Sequence, residues 1–179
     1  HEGLGEVLYD PTGTYQCGDT VIMIPNTPCE KDEVIAENYL RSSKFRASGF
    51  DGFMQEHVAL DIDRVVPVDD SIDKVIAAFT ELVSVSVHAI RRFDSIAHKR
   101  RKAVGIWGDG NLGYITAIFF KAMFPNTKLY ILGVDQEKLS GFSFADDTFS
   151  VSDIPDDLYI DHAFECVGGA ASQDRKSVV

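Results

Sequence analysis

The chain has 179 residues, 45% of them hydrophobic, enough apolar material for one domain or for parts of two. A net charge of -11 and an isoelectric point near 4.7 argue against nucleic acid and anionic membrane surfaces as partners. Cys17, Cys29 and Cys166 are far apart with no C-x-x-C pair, a pattern expected of free thiols in the cytoplasm, and neither a signal peptide nor a bilayer-spanning apolar run is read.

The first part of the chain reads as β-rich. His1-Glu2-Gly3 runs into a strand before Tyr9, Asp10-Pro11-Thr12-Gly13 and Cys17-Gly18-Asp19 are turn signals, and residues 20–24 form a β-rich run. Short strands spaced this way suggest a barrel-like region. Residues 25–38 are irregular and acidic, and a loop with Gly49 and Gly52 feeds an expected strand over 53–60, with another over 65–68. The texture then changes. Residues 71–97 read as helical, with Val75, Ala78, Phe79, Leu82 and Val83 on one stripe, Ser71 or Asp70 as the cap, and a break at the β-branched run 83–87. The basic run His98-Lys99-Arg100-Arg101-Lys102 reads as a solvated helix end complementing the helix dipole. This change places a β-rich region over 1–80 and a βαβ region with its leading helix over 81–179.

The second region carries the clearest motif. An apolar strand over 103–107 enters Gly108-Asp109-Gly110-Asn111-Leu112-Gly113, a helix runs to Met123, Pro125 and Asn126 stop it, and a strand follows over 129–132. In a G-x-G-x-x-G turn the first glycine allows the tight bend, the second lets the backbone approach a pyrophosphate and the third lets helix and strand pack closely. The helix N-terminus, opened here by Asn111 and Leu112, offers N–H groups and a positive dipole end to the phosphates. A bare glycine-rich turn is the alternative, but strand, turn, helix and strand fall in the order that dinucleotide binding needs. An NAD site places an acid about 20 residues on, against the ribose. Gly133 in that position leaves room for a 2′-phosphate and favours NADP(H), with Lys138 as a phosphate partner; Asp135 in that position would favour NAD. A short helix over 136–142 and strands over 146–151 and 160–167 complete at most four strands, fewer than the about six of a whole doubly wound domain. The domain therefore reads as cut short, with an unpaired edge.

His1, Glu2 and Glu81 are donor types of an open catalytic zinc site. Their separation carries no local zinc signature, so by spacing alone Glu81 is a partly buried helix carboxylate and His1 a terminal residue. His57 and His88 read as packing or surface residues.

The order of segments adds to this. His1-Glu2-Gly3-Leu4-Gly5-Glu6-Val7, Gly18-Asp19-Thr20-Val21, Asp51-Gly52-Phe53-Met54-Gln55-Glu56-His57-Val58, the stretch from Glu81 to Ala89, and Gly108 to Gly113 follow one another as in the medium-chain, zinc-dependent alcohol dehydrogenase superfamily, which the chain resembles as far as Gly169. Glu37-Asn38-Tyr39-Leu40, Ser43-Lys44-Phe45-Arg46, Gln136-Glu137-Lys138-Leu139 and Phe142-Ser143-Phe144-Ala145-Asp146 are similar to one branch, the ribitol-5-phosphate dehydrogenases or ribulose-5-phosphate reductases of teichoic acid and related surface polymer synthesis. The resemblance implies an α/β fold: part of a GroES-like β-rich catalytic domain, then a truncated Rossmann domain. It implies that His1 binds catalytic Zn2+, that Glu2 enters or approaches the metal shell and that Glu81 completes it, a Cys ligand lying upstream of His1. It implies that Gly108, Gly110, Asn111, Leu112 and Gly113 carry NADPH, with Gly133 at the position opened for it, and that Cys166-Val167-Gly168-Gly169 borders the cofactor. With only Cys29 in the structural-zinc lobe, one catalytic zinc and no structural zinc are expected. The implied activity is reduction of the sugar phosphate ribulose 5-phosphate to ribitol 5-phosphate, with Lys44 and Arg46 as positional candidates for the phosphate. A homodimer and a cytidylyltransferase of the same pathway are the implied partners. The alternatives are a zinc-free reductase of the quinone reductase kind and a catalytically silent dinucleotide-binding fragment. Residues 174–179 do not resemble the family.

Overall fold

The computed structural model describes residues 1–168; the tail at 173–179 and Gly169 lie outside the described residues. The chain forms two compact units, His1–Leu82 and the part from Val83 onward.

In the first unit, strands β1 (Leu4–Glu6), β2 (Thr20–Met23), β3 (Asn26–Thr27), β4 (Lys44–Phe45) and β5 (Val65–Pro67) make two antiparallel arrangements, the sheet β1-β2-β5 and the ribbon β3-β4. Gly5 faces Val21 and Ile22 faces Val66 across the sheet, and Val21 is buried. Around the ribbon the nearly buried Arg64 ties separate segments together: it bonds Asp63 at 2.9 Å and Glu37 at 3.0 Å and donates to the Asn26 carbonyl at 3.5 Å.

No strand forms over 53–60. The aromatic residues there turn back instead of pairing. The Phe53 ring packs so near Gly3 that a Cβ on that glycine would lie 2.6 Å from it. The Arg46 guanidinium stands over Phe50 and Phe53, at 5.5 and 5.7 Å from their centroids, and donates to the Ala59 carbonyl at 3.2 Å. The helical stretch is also placed differently. Helix α1 (Lys74–Ala77) is capped by Asp73, whose carboxylate accepts from the Val75 and Ile76 N–H groups. Ser71 donates to Asp69 instead of capping. The interruption falls between α1 and α2 (Thr80–Ile96), so residues 83–87 run unbroken inside α2; helical context overrides their β-branching. Val75, assigned to the apolar stripe, is exposed, whereas Ala77 is buried.

The second unit is a parallel sheet of strands β6 (Ala103–Trp107), β7 (Lys128–Gly133), β8 (Asp147–Ser150) and β9 (His162–Glu165), ordered β8-β7-β6-β9. Helix α3 (Asn111–Met123) crosses from β6 to β7 and the short α4 (Gln136–Ser140) from β7 to β8. All of β6 is buried, as expected of a central parallel strand. Ile90, Val104, Phe120, Leu129 and Ile131 form the centre of the core, with Phe93 edge-on to Phe120 and Phe124. This four-stranded order corresponds to the 3-2-1-4 part of the six-stranded doubly wound order.

The basic run expected at a helix end begins after α2 has stopped at Ile96, from where Arg101 donates back to the Asp94 and Ala97 carbonyls, and it also acts as a clamp. Asp161 accepts from the Lys102 and Ala103 N–H groups at 2.8 and 3.1 Å, from the Tyr159 hydroxyl at 2.9 Å and from Arg100 at 2.6 Å. Burial acts to raise its carboxyl pKa, but the Ala103 N–H, the Tyr159 hydroxyl, the Lys102 N–H and Arg100 outweigh it and hold the value at about 2. Arg101 bonds Asp94 at 2.5 Å and lies 4.8 Å over the Phe93 ring. Together these contacts fix where β6 starts.

Candidate cofactor and metal site

The sheet order reverses at β6, between β7 and β9, and open α/β sheets bind ligands beyond the carboxyl ends of the strands at such a point. The glycine turn lies there. Gly108 has φ +123, and a Cβ on it would lie 2.9 Å from the Cys166 carbonyl oxygen. A Cβ on Gly113 would lie 2.0 Å from the Gly108 carbonyl oxygen. These two glycines are required by the chain's own packing. Gly110 is different: it has φ -86, and a Cβ there would meet nothing within 4 Å. It is the N-cap of α3, and no side chain caps that end. The first-turn N–H groups, those of Asn111, Leu112 and Gly113, have no carbonyl one turn back to pair with. Gly110 and this helix end thus leave an open, electropositive approach of the shape a pyrophosphate takes.

Gly133 is the last residue of β7, and Asp135 is the N-cap of α4. The Asp135 carboxylate accepts from the Glu137 and Lys138 N–H groups at 3.0 and 3.2 Å and lies 3.6 Å from the exposed Lys138 ammonium. Its charge is therefore directed at the helix it starts. Asp109, the first variable residue of the glycine motif, reaches this strand end and accepts from the Val134 and Asp135 N–H groups at 2.8 and 2.7 Å. Burial pushes its pKa up, but those two N–H groups outweigh it and the net shift is downward. The motif itself drew attention to the glycines; nothing in the sequence marked Asp109 as a bridge to β7.

Cys166 follows β9, and its amide donates to the Trp107 carbonyl at 2.7 Å. Burial raises its thiol pKa, which keeps it protonated.

His1 and Glu2 precede β1, and Glu81 lies in the first turn of α2. Glu81 is pushed above the usual carboxylate range, first by burial and then by the negative charge of Glu2. The fold thus brings Glu2 and Glu81, 79 positions apart in the chain, within each other's field. Imidazole and carboxylate donors suit Zn2+, and a dication would relieve this repulsion. Among the described residues, however, no three His, Cys, Asp or Glu side chains stand together as a metal-holding group. Lys44 lies exposed on β4, and Arg46 lines a cavity of about 210 Å³ with Thr27, Ala59, Leu60, Asp61 and Arg64, where its buried Nε has no hydrogen-bond partner among the described residues.

No protein-family model matches the chain. The ribulose-5-phosphate reductase of Bacillus spizizenii is 54% identical over 173 residues, covering 97% of this chain and 51% of that protein. Ribulose-5-phosphate reductase 1 of Staphylococcus aureus is 57% identical over 173 residues, with the same coverage of 97% and 51%. The crystal structure of S. aureus TarJ matches with a TM-score of 0.76 at 49% identity over 97% of this chain and 49% of that one. Over nearly its whole length the chain is similar to ribulose-5-phosphate reductases. It spans about half the length of the curated relatives it matches. A second TarJ structure, in complex with NADPH, matches with the same TM-score of 0.76. Galactitol-1-phosphate dehydrogenase from Escherichia coli, 22% identical with a TM-score of 0.72 over 87% of this chain, shares the fold. The chain is thus a β-rich, GroES-like part followed by a partial Rossmann unit, as its motif order implied.

Proposed function

We propose that the full-length protein reduces ribulose 5-phosphate to ribitol 5-phosphate with NADPH, as an alcohol dehydrogenase-type enzyme. The observation that carries this is the open, uncapped start of α3 behind Gly110, in a chain 54–57% identical to ribulose-5-phosphate reductases. Gly108 and Gly113 shape the bend, Gly110 leaves room for the pyrophosphate, and the N–H groups of Asn111 and Leu112 face its charge. Gly133 ends β7 with no side chain of its own, the Asp109 carboxylate filling the space beside it, and the exposed Lys138 ammonium, 3.6 Å from Asp135, is the cation of this strand end that a 2′-phosphate would use. TarJ in complex with NADPH supports the choice of cofactor.

Zn2+ would be held by His1 and Glu81 with Glu2 beside them, and by a further ligand elsewhere in the full-length protein. When bound, the two groups supply hydride and Lewis-acid polarisation of the ketose carbonyl. The chain's contribution is to hold the half-buried Glu81 carboxylate within the field of the exposed Glu2 and to position the dinucleotide. The same reading carries a cytoplasmic enzyme acting as a homodimer beside a cytidylyltransferase of the pathway. Among the described residues no helix is long and apolar enough to cross a membrane.

Turnover of ribulose 5-phosphate by the full-length protein with NADPH and with NADH tests the reading. Clear preference for NADH would overturn the cofactor assignment, and no turnover with either, while another ketose phosphate is reduced, would overturn the substrate. Metal analysis should find about one zinc per chain, as a single catalytic site requires.

A further inference from the structure

We propose that Asp109 is the ribose-reading acid of this protein, presenting its carboxylate from the glycine turn to accept a hydrogen bond from the 3′-hydroxyl of the adenosine ribose. The proposal rests on the NADPH reading above. In dinucleotide folds an acid near the end of the second strand contacts this ribose. Here that strand ends in Gly133, whose φ lies outside the left-handed region, so its backbone would accept a side chain. Asp109 is what excludes one: a Cβ on Gly133 would lie 2.5 Å from Asp109 Oδ2, 2.7 Å from its Cβ and 2.8 Å from its Cγ. The Asp109 carboxylate therefore stands where a side chain of residue 133 would begin, so the neighbouring turn brings an acid to the strand end itself, two residues before Asp135.

It is also held in place. The Val134 and Asp135 N–H groups both donate to Oδ2, at 2.8 and 2.7 Å. Neither of these two bonds uses Oδ1, and the Asp109 backbone N–H also acts on the carboxylate. The other nearby acid, Asp135, accepts from the Glu137 and Lys138 N–H groups with Oδ1 and has the Lys138 ammonium 3.6 Å from Oδ2. An ionised carboxylate only accepts hydrogen bonds. On the adenosine ribose of NADPH the 2′ oxygen is esterified to phosphate, which leaves the 3′-hydroxyl as the donor. Lys138, which acts electrostatically on Asp109, offsets the proximity of that phosphate.

The test is a binding cycle on the full-length protein. Dissociation constants for NADP+ and its 3′-deoxy analogue are measured by calorimetry for wild type, Asp109→Ala and Asp109→Asn. Asparagine keeps an oxygen acceptor for the two turn N–H groups, so this variant retains the local fold. Loss of the 3′-hydroxyl should weaken wild-type binding about tenfold or more, as for a hydrogen bond to a charged group. The same loss should cost Asp109→Ala less than about twofold and Asp109→Asn an intermediate factor. If the variants weaken both ligands equally and the deoxy penalty persists, Asp109 only braces the turn and the proposal fails. If Asp109→Asn tightens NADP+ and the 3′-deoxy analogue alike, so that the penalty persists, the carboxylate faces the 2′-phosphate instead, which also overturns it. A wild type that binds NAD+ and not NADP+ would refute the NADPH reading, and with it the choice of the 3′ position. A wild type that binds NADP+ with no deoxy penalty would refute the Asp109 inference alone.

Discussion

Gly110→Ala and Gly113→Ala each add one methyl group to the same turn, and they should do opposite things. At 110 the new Cβ meets no atom within 4 Å and the backbone is in an ordinary region, so folding loses only the N-cap preference of Gly over Ala, about 0.5–1 kcal/mol. At 113 the new Cβ would sit 2.0 Å from the Gly108 carbonyl oxygen, which is backbone of the turn itself and cannot rotate away. Relieving an overlap of that size moves helix against strand, at the upper end of the overpacking range, about 3 kcal/mol or more. The helix-propensity gain of about 1 kcal/mol offsets only part of it. Gly110→Ala should instead show in binding. A methyl on the open side of the turn lifts the pyrophosphate from the α3 N–H groups, and losing one hydrogen bond to a charged group weakens NADPH about 10- to 100-fold. Urea midpoints and NADPH fluorescence titrations on the full-length protein separate the two effects. Wild-type NADPH affinity in Gly110→Ala would show that no pyrophosphate approaches there. An unchanged urea midpoint in Gly113→Ala would show that the close approach to Gly108 is not a constraint.

Phe120 is fully buried among Phe93, Phe124 and Phe164, and Phe120→Ala should destabilise by about 3–5 kcal/mol in denaturant titration; a cost under about 1 kcal/mol would mean the aromatic cluster collapses freely. Asp161 is held at about 2 against an ordinary 3.8, so its stabilising contribution is complete above pH 3.8 and is lost as pH falls through about 2. Asp161→Asn should flatten the acid limb of the stability profile between those values, and parallel wild-type and variant profiles there would exclude this group as its source. Glu81→Ala should lower zinc occupancy and turnover together, whereas full metal content at the wild-type rate would remove Glu81 from the metal shell.

Local periodicity and spacing carried much of the second unit. β6 is apolar throughout because both its faces are covered, and the glycine turn and α3 follow it without interruption, so strand, bend and helix were legible from neighbouring residues. The strand expected over 53–60 was not found, because β-rich composition records a tendency to extend but not the presence of a partner; Phe53 found Gly3 and Arg46 instead. The cap at Asp73 in place of Ser71 was a choice between polar residues a few positions apart, each a competent cap by type.

The sequence by itself determined the βαβ unit and the resemblance to ribulose-5-phosphate reductases, since both rest on residue types at fixed separations along the chain. The tertiary structure decided which groups meet across long separations: Arg100 with Asp161, the charge of Glu2 with Glu81, and the Asp109 carboxylate with the end of β7. Such pairings depend on how strands stack and helices return, and those through-space distances leave no period in the chain to read.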